Sequence, residues 1–145
     1  MGLRMPRPRA IAPPRIWLEP MHAGQMRAYA ALSGHRFKAL RCGRRFGKTA
    51  LAKSWAAQAL LNGEEVGWFA PEYKHMIEVF AEMKAMLAPL VAASSKNPPM
   101  IRLANGGRID FFPLSNAIAA RGRRYHRIVI DEAAFEPGVR VFRNG

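Results

Sequence analysis

The chain has 145 residues, half of them apolar, and 23 Lys/Arg against 10 Asp/Glu give it a net charge of +13. That length makes about one domain with enough apolar mass for a core, and the charge balance sets it apart from ordinary metabolic enzymes and points to a polyanionic partner, most often nucleic acid. A single cysteine, Cys42, excludes an internal disulfide and a cysteine-based zinc site, no apolar run reaches the roughly 18–20 residues of a membrane span, and the N-terminus lacks the apolar stretch of a secretory signal.

Residues 1–16 read as a basic arm, in which Arg4, Arg7, Arg9 and Arg15 alternate with Pro6, Pro8, Pro13 and Pro14. The prolines oppose the amphipathic helix of a transit peptide. Trp17 and Leu18 are expected to anchor the end of the arm on the core. After Pro20, residues 22–33 predict a short helix stopped by Gly34. Within it stands Gln25, whose amide offers the donor and acceptor that match an adenine edge. Taken alone, Gln25 reads better as a solvated helix residue, and only its place upstream of the next segment makes it a site candidate.

That segment is Cys42-Gly43-Arg44-Arg45-Phe46-Gly47-Lys48-Thr49. Residues 37–41 predict a first strand running into it, and residues 50–61 an alanine-rich helix running out of it. This helix ends at the capping pair Asn62-Gly63, and Leu51 and Trp55 lie on its core face. A strand, a glycine-bearing loop and a helix opening on Gly-Lys-Thr suit a nucleoside triphosphate. Backbone N–H groups and the positive end of the helix dipole meet phosphate oxygens. Lys48 reaches the β- and γ-phosphates, and the Thr49 hydroxyl takes Mg²⁺. The usual pattern places glycine first in Gly-x-x-x-x-Gly-Lys-[Ser/Thr]; here Cys42 stands there and Gly43 follows. Arg44 and Arg45 lie inside the loop, and either can supply positive charge to a transferring phosphoryl group in cis.

Residues 66–70 predict a buried second strand. A helix beginning near His75 follows, with the apolar stripe Met76, Val79, Phe80, Met83 and Leu87 and with Pro89 at its end. Residues 92–99 read as a loop. Asn105-Gly106-Gly107 between alternating apolar residues predicts a hairpin of 101–103 with 108–112. Residues 115–120 predict a helical turn, and 121–127 a basic loop. Ile128-Val129-Ile130 reads as a strand buried on both faces, as in parallel sheets. It delivers Asp131 and Glu132 to its C-terminal end, where open α/β sheets bind ligands. Asp131 suits Mg²⁺ held through its hydration shell, and Glu132 suits a base that orients and deprotonates water aimed at a γ-phosphate. The expected fold is therefore α/β, a P-loop NTPase of the RecA-like (ASCE) kind. Its mostly parallel sheet is flanked by helices and is incomplete at the C-terminus.

Together these residues resemble the ATPase domain of the terminase large subunit of tailed bacteriophages, over roughly residues 17–136. The matching pieces are His22-Ala23-Gly24-Gln25, Gly43-Arg44-Arg45-Phe46-Gly47-Lys48-Thr49 and Phe69-Ala70-Pro71-Glu72-Tyr73. They continue with Asn105-Gly106-Gly107-Arg108-Ile109, Arg121-Gly122 and Ile128-Val129-Ile130-Asp131-Glu132-Ala133. The resemblance implies a Mg²⁺-dependent ATPase motor that drives double-stranded DNA into an empty capsid. It implies a ring of subunits on the portal protein, a small terminase subunit as partner, and a place in the cytoplasm of the bacterial host at the procapsid portal. It also implies that Gln25 contacts adenine, Lys48 the phosphates, and Thr49 and Asp131 the magnesium. Glu132 activates water, and Arg44, typical of the family three places before the last loop glycine, senses or stabilises the γ-phosphate.

Residues 17–145 are then expected to form a partial ATPase domain, without the family's coupling motif and nuclease domain, so no DNA cutting is expected. The chain reads as an N-terminal fragment, a split gene product or a prophage remnant, and is expected to bind ATP without turning it over alone. Two other readings stand beside this one. One is a helicase-like or repair ATPase, against which Ala134 in place of the histidine of a DEAH motif counts. The other is a non-enzymatic basic DNA-binding remnant of a prophage terminase, which needs only the arm and the 35–48 and 121–127 basic clusters.

Overall fold

The computed structural model describes residues 15–43 and 45–133. Among the described residues three α-helices are present, α1 (Ala23–Leu32), α2 (Lys48–Leu61) and α3 (Tyr73–Met86). Five strands are β1 (Glu65–Ala70), β2 (Val91–Lys96), β3 (Pro99–Leu103), β4 (Arg108–Pro113) and β5 (Arg127–Ile130). They form one sheet in the order β2-β3-β4-β1-β5. This is an α/β fold with two helices packed on one face of the sheet.

The central strand is β1, whose residues 66–70 are all buried. It pairs in parallel with β4 and with β5. Period-2 alternation assigns its side chains to two faces. Val66, Trp68 and Ala70 join Ile101, Leu103, Ile109, Phe111 and Val129 in a core with Ala56, Leu60, Met76, Val79, Phe80 and Met83 from α2 and α3. The stripe on α3 recurs every three or four residues, as a helix needs to bury one face, and Met76 and Met83 have no exposed surface. Phe80 meets Phe111 edge to face with ring centroids 5.6 Å apart. Burying each of these large side chains stabilises the fold by about 1.5–3 kcal/mol. The indole N–H of Trp68 has no hydrogen-bond acceptor among the described residues.

The opposite face carries Gly67, Phe69, Asp110, Phe112, Ile128 and Ile130, from the registers Gly67↔Asp110↔Met100, Phe69↔Phe112 and Gly67↔Ile128. Phe69 and Phe112 stack at 5.5 Å. Tyr125 lies over Gly67, where a Cβ would come within 2.9 Å of its ring. Its hydroxyl donates to Asp110 Oδ2 at 2.9 Å. Arg108 Nε and Arg123 Nη1 donate to the same carboxylate at 3.0 and 3.2 Å. Asp110 is 4 % exposed, and a carboxylate so placed is tolerable because all its partners are present. Burial, and then the bond to Asp110 and its charge, push the Tyr125 hydroxyl well above the ordinary tyrosine range.

Much of the predicted order is observed: the helix closed by Gly34, the helix closed by Asn62-Gly63, the 66–70 strand, the α3 stripe, the hairpin around Asn105-Gly106-Gly107 and a 3₁₀ turn at Leu114–Ala120. Several expectations are overturned. Residues 37–41 form no strand, and Phe37 is 86 % exposed. Alternation sets Phe37, Ala39 and Arg41 against Lys38 and Leu40, so each face would carry a cation and neither can be buried. Residues 91–96, expected as loop, are the edge strand β2, paired antiparallel with β3; its alanines and serines carry little strand signal, and the ladder with β3 overrides that. The sheet is mixed rather than mostly parallel, with antiparallel β2–β3 and β3–β4 pairs. Strand β5 is buried on one face of the pleat and not on both: Val129 is in the core, but Ile128 and Ile130 are 54 % and 51 % exposed, because β5 stands at the edge of the described sheet. Trp17 is 80 % exposed and does not anchor the arm, whereas Leu18 packs against the core. Residues 1–14 and 134–145, which hold most of the basic arm and the terminal segment, lie outside the described residues.

Candidate functional site

The loop before α2 is built from αL turns. Arg45 has φ 63° and Gly47 φ 84°, and alternation into αL turns successive backbone N–H groups toward one side. At Gly47 only glycine fits, since a Cβ would lie 2.5 Å from Gln25 Nε2. Gly47 is also the N-cap of α2, with no side-chain cap bond, and no acid stands in the first turn of the helix. The first N–H groups of α2 thus lack the usual side-chain acceptor, which leaves them free for an anion. Lys48 folds back, its ammonium donating to Cys42 O at 3.3 Å.

The loop is held from behind by α1. Gln25 is buried at 6 % exposure, its Nε2 donates to Gly47 O at 3.0 Å, and its Oε1 accepts from His22 N at 3.0 Å. His22 Nδ1 accepts from Gln25 N at 3.2 Å, closing a capping box. The same ring donates from Nε2 to Phe46 O at 2.8 Å and stands edge-on to the Phe46 ring at 5.1 Å.

On the other side stands the end of β5. Asp131 N donates to Phe69 O at 2.8 Å, which continues the β1–β5 ladder and fixes this residue at the strand's C-terminal end. Its carboxylate, 8 % exposed, accepts from Thr49 Oγ1 at 3.2 and 3.3 Å and from His75 Nε2 at 2.8 Å. Two segments 82 residues apart in sequence are brought into direct contact. Glu132 has φ 52°, an uncommon value for a non-glycine residue. It lines a cleft of about 290 Å³ together with Pro71, Glu72 and His75.

Of the residues singled out in the sequence, Gln25, Gly47, Lys48, Thr49 and Asp131 converge here, with Phe46 packed on His22. Gly43 is exposed, and nothing lies within 4 Å of its Cβ position. Arg45 is exposed, and Arg44 lies outside the described residues. Both ends of the Gln25 amide are engaged by the protein, which differs from an amide turned freely toward a base. Sequence reasoning missed His22 and His75. Their roles depend on partners 24 and 56 residues away, and the local signals for His22 were its position at a helix start and its place in the His22-Ala23-Gly24-Gln25 piece.

Thr49 and Asp131 together offer a hydroxyl and a carboxylate, the hard oxygen donors that Mg²⁺ prefers. Mg²⁺ commonly takes only one or two protein ligands and fills the rest with phosphate and water. The donor set therefore fits that ion, and among the described residues no cluster of three His, Cys, Asp or Glu side chains forms a metal cage. No described helix is long and apolar enough to cross a membrane.

A family model described as "Terminase large subunit, T4likevirus-type, N-terminal" matches residues 40–144. No curated protein matches the chain.

Proposed function

Because the chain belongs to the family of terminase large subunits, T4likevirus-type, N-terminal, we propose that it is the ATP-binding and ATP-hydrolysing part of a motor that packages double-stranded DNA into a phage capsid. The observation that carries this reading is the contact of Thr49 with Asp131. It joins a Gly-Lys-Thr loop at a helix start to an acid at a parallel strand's end, the two halves of a P-loop NTPase site.

In this reading the N–H groups of the loop and of the first turn of α2 receive the phosphate chain. Lys48 exchanges its bond to Cys42 O for the β- and γ-phosphates. Thr49 and Asp131 would hold Mg²⁺, which would supply positive charge against the phosphate chain. Glu132, which lines the cleft, accepts a proton from the water as its oxygen bonds to the γ-phosphorus, and the bond between the γ-phosphorus and the bridging oxygen breaks to leave ADP and phosphate. Arg44 or Arg45 supplies positive charge to the transferring group. Gln25 sits nearest the loop from the α1 side, where a base contact is also assigned to it. The net charge of +13 suits double-stranded DNA as cargo. Portal protein, small terminase subunit and a ring of subunits complete the proposed assembly in the host cytoplasm.

Calorimetric titration with Mg²⁺-ATP tests the reading. Wild type is expected to bind and Lys48→Ala to lose binding. Glu132→Gln is expected to keep binding and lose whatever phosphate release the wild-type chain supports. Normal ATP binding by Lys48→Ala would sink the proposal.

A further inference from the structure

We infer that His22 is a positioning residue for nucleotide binding, which with Gln25 clamps the outer side of the phosphate loop and so aims its N–H groups inward. The inference rests on the proposed nucleotide site.

The geometry begins with the peptide plane. In a trans peptide the C=O and the following N–H point in opposite directions. Phe46 O is held by His22 Nε2 at 2.8 Å, so the N–H of Gly47 points away from α1. Gly47 O is held by Gln25 Nε2 at 3.0 Å and by the helical N–H of Leu51 at 3.0 Å, so the N–H of Lys48 also points away from α1. As the first residue of α2, Lys48 has no intrahelical partner for that N–H. Two successive carbonyls drawn to one side thus present two successive N–H groups on the other, which is the form of an anion nest.

The clamp is itself rigid. His22 Nδ1 accepts the Gln25 N–H and the His22 N–H donates to Gln25 Oε1. This assigns the neutral ring proton to Nε2, the atom facing Phe46 O. Gly24 leaves room for the contact: a Cβ there would lie 3.0 Å from the His22 ring and 3.1 Å from the Phe46 ring. Each of His22, Gly24 and Gln25 therefore has a task at the loop that is independent of the base contact proposed for Gln25. The clamp acts on the phosphate cradle alone.

The test separates clamp from cap. Asparagine is as good an N-cap as any residue, but its side chain is too short to reach Phe46 O. Glutamine carries a donor nitrogen the same number of bonds from Cα as His22 Nε2. Binding of Mg²⁺-ATP, Mg²⁺-GTP and inorganic tripolyphosphate is measured by calorimetry for wild type, His22→Asn and His22→Gln, with thermal unfolding of each. His22→Asn is expected to unfold at the wild-type temperature and to bind all three probes about fivefold more weakly, the loss of one partly solvated hydrogen bond. His22→Gln is expected to stay within about twofold of wild type on the same scale. The inference is overturned if His22→Asn binds as wild type, if its loss is confined to ATP, which would mean a base contact, or if His22→Gln is as weak as His22→Asn. A wild-type chain that binds none of the three probes overturns the nucleotide site itself, and the clamp with it.

Discussion

Asp131 is the residue on which the two halves of the site meet, and two substitutions there have separable outcomes. Asp131→Ala removes the acceptor for both Thr49 Oγ1 and His75 Nε2. A hydrogen bond to a charged group contributes about 1.5–3 kcal/mol. Thr49 is partly buried and can turn its hydroxyl elsewhere, and the His75 side chain is 35 % exposed and can be rehydrated, so the sum is discounted to about 2 kcal/mol. For a domain of this size that lowers the unfolding temperature by about 6–10 °C. Asp131→Asn keeps the shape. Its oxygen can accept from His75 while its amide donates to the Thr49 oxygen, so the cost falls below about 1 kcal/mol. The nucleotide readout erases this ranking: both variants lose the carboxylate, and both are expected to lose the part of ATP affinity that depends on Mg²⁺. Thermal unfolding by circular dichroism and ATP titration with and without Mg²⁺ measure the two effects. An Asp131→Asn variant whose ATP binding is still strengthened by Mg²⁺ as in wild type refutes the assignment, and an Asp131→Ala variant that melts unchanged refutes the clamp on Thr49 and His75.

Gly107→Ala is expected to destabilise the fold by about 1–3 kcal/mol, the range for overpacking, because its Cβ would lie 2.3 Å from Leu60 O. That carbonyl is itself held by Asn105 Nδ2, and an unchanged urea midpoint would contradict the tight approach of the hairpin to α2. Tyr125 gives a pH dependence. Its hydroxyl is held neutral in the fold and its pKa is raised above the unfolded value. The contribution is therefore complete below about pH 10, the ordinary tyrosine range, and is lost as the pH climbs above it, since the unfolded chain then releases the proton first. Unfolding temperature is expected to fall more steeply with alkaline pH in wild type than in Tyr125→Phe, and parallel curves would refute the buried hydrogen bond to Asp110.

The elements legible in the sequence were those whose pattern is local and strong. The α3 stripe needs only helical spacing, the 105–107 turn only its Asn-Gly-Gly, and Asp131 only a run of β-branched residues before it. Thr49 and Asp131 were legible as candidates because each carries a recognisable chemistry, whereas the hydrogen bond between them shows only in the fold. What was not legible depends on neighbours. Strand β2 is Val91, Ala92, Ala93, Ser94, Ser95 and Lys96, residues that become a strand through pairing with β3. Residues 37–41 look apolar when counted and not when split by parity. Ile128 and Ile130 read as buried because their type is, yet exposure is set by the strand's place at the rim. His22 and His75 are ordinary surface-helix histidines until the chain folds their partners onto them.

The rim position of β5 has a colloidal consequence. A strand has two hydrogen-bonding sides, and among the described residues β5 uses one, on β1. The other side, with two half-bare isoleucines beside it, is adhesive toward any extended backbone, including that of another copy. What holds copies apart is the charge of +13, and that repulsion reaches only about 8 Å at physiological ionic strength and about 30 Å in 0.01 M salt. The short-range attraction is indifferent to salt. Dilute buffer therefore favours dispersed chains, and both added salt and a neutralising polyanion tip the balance toward edge-to-edge contact.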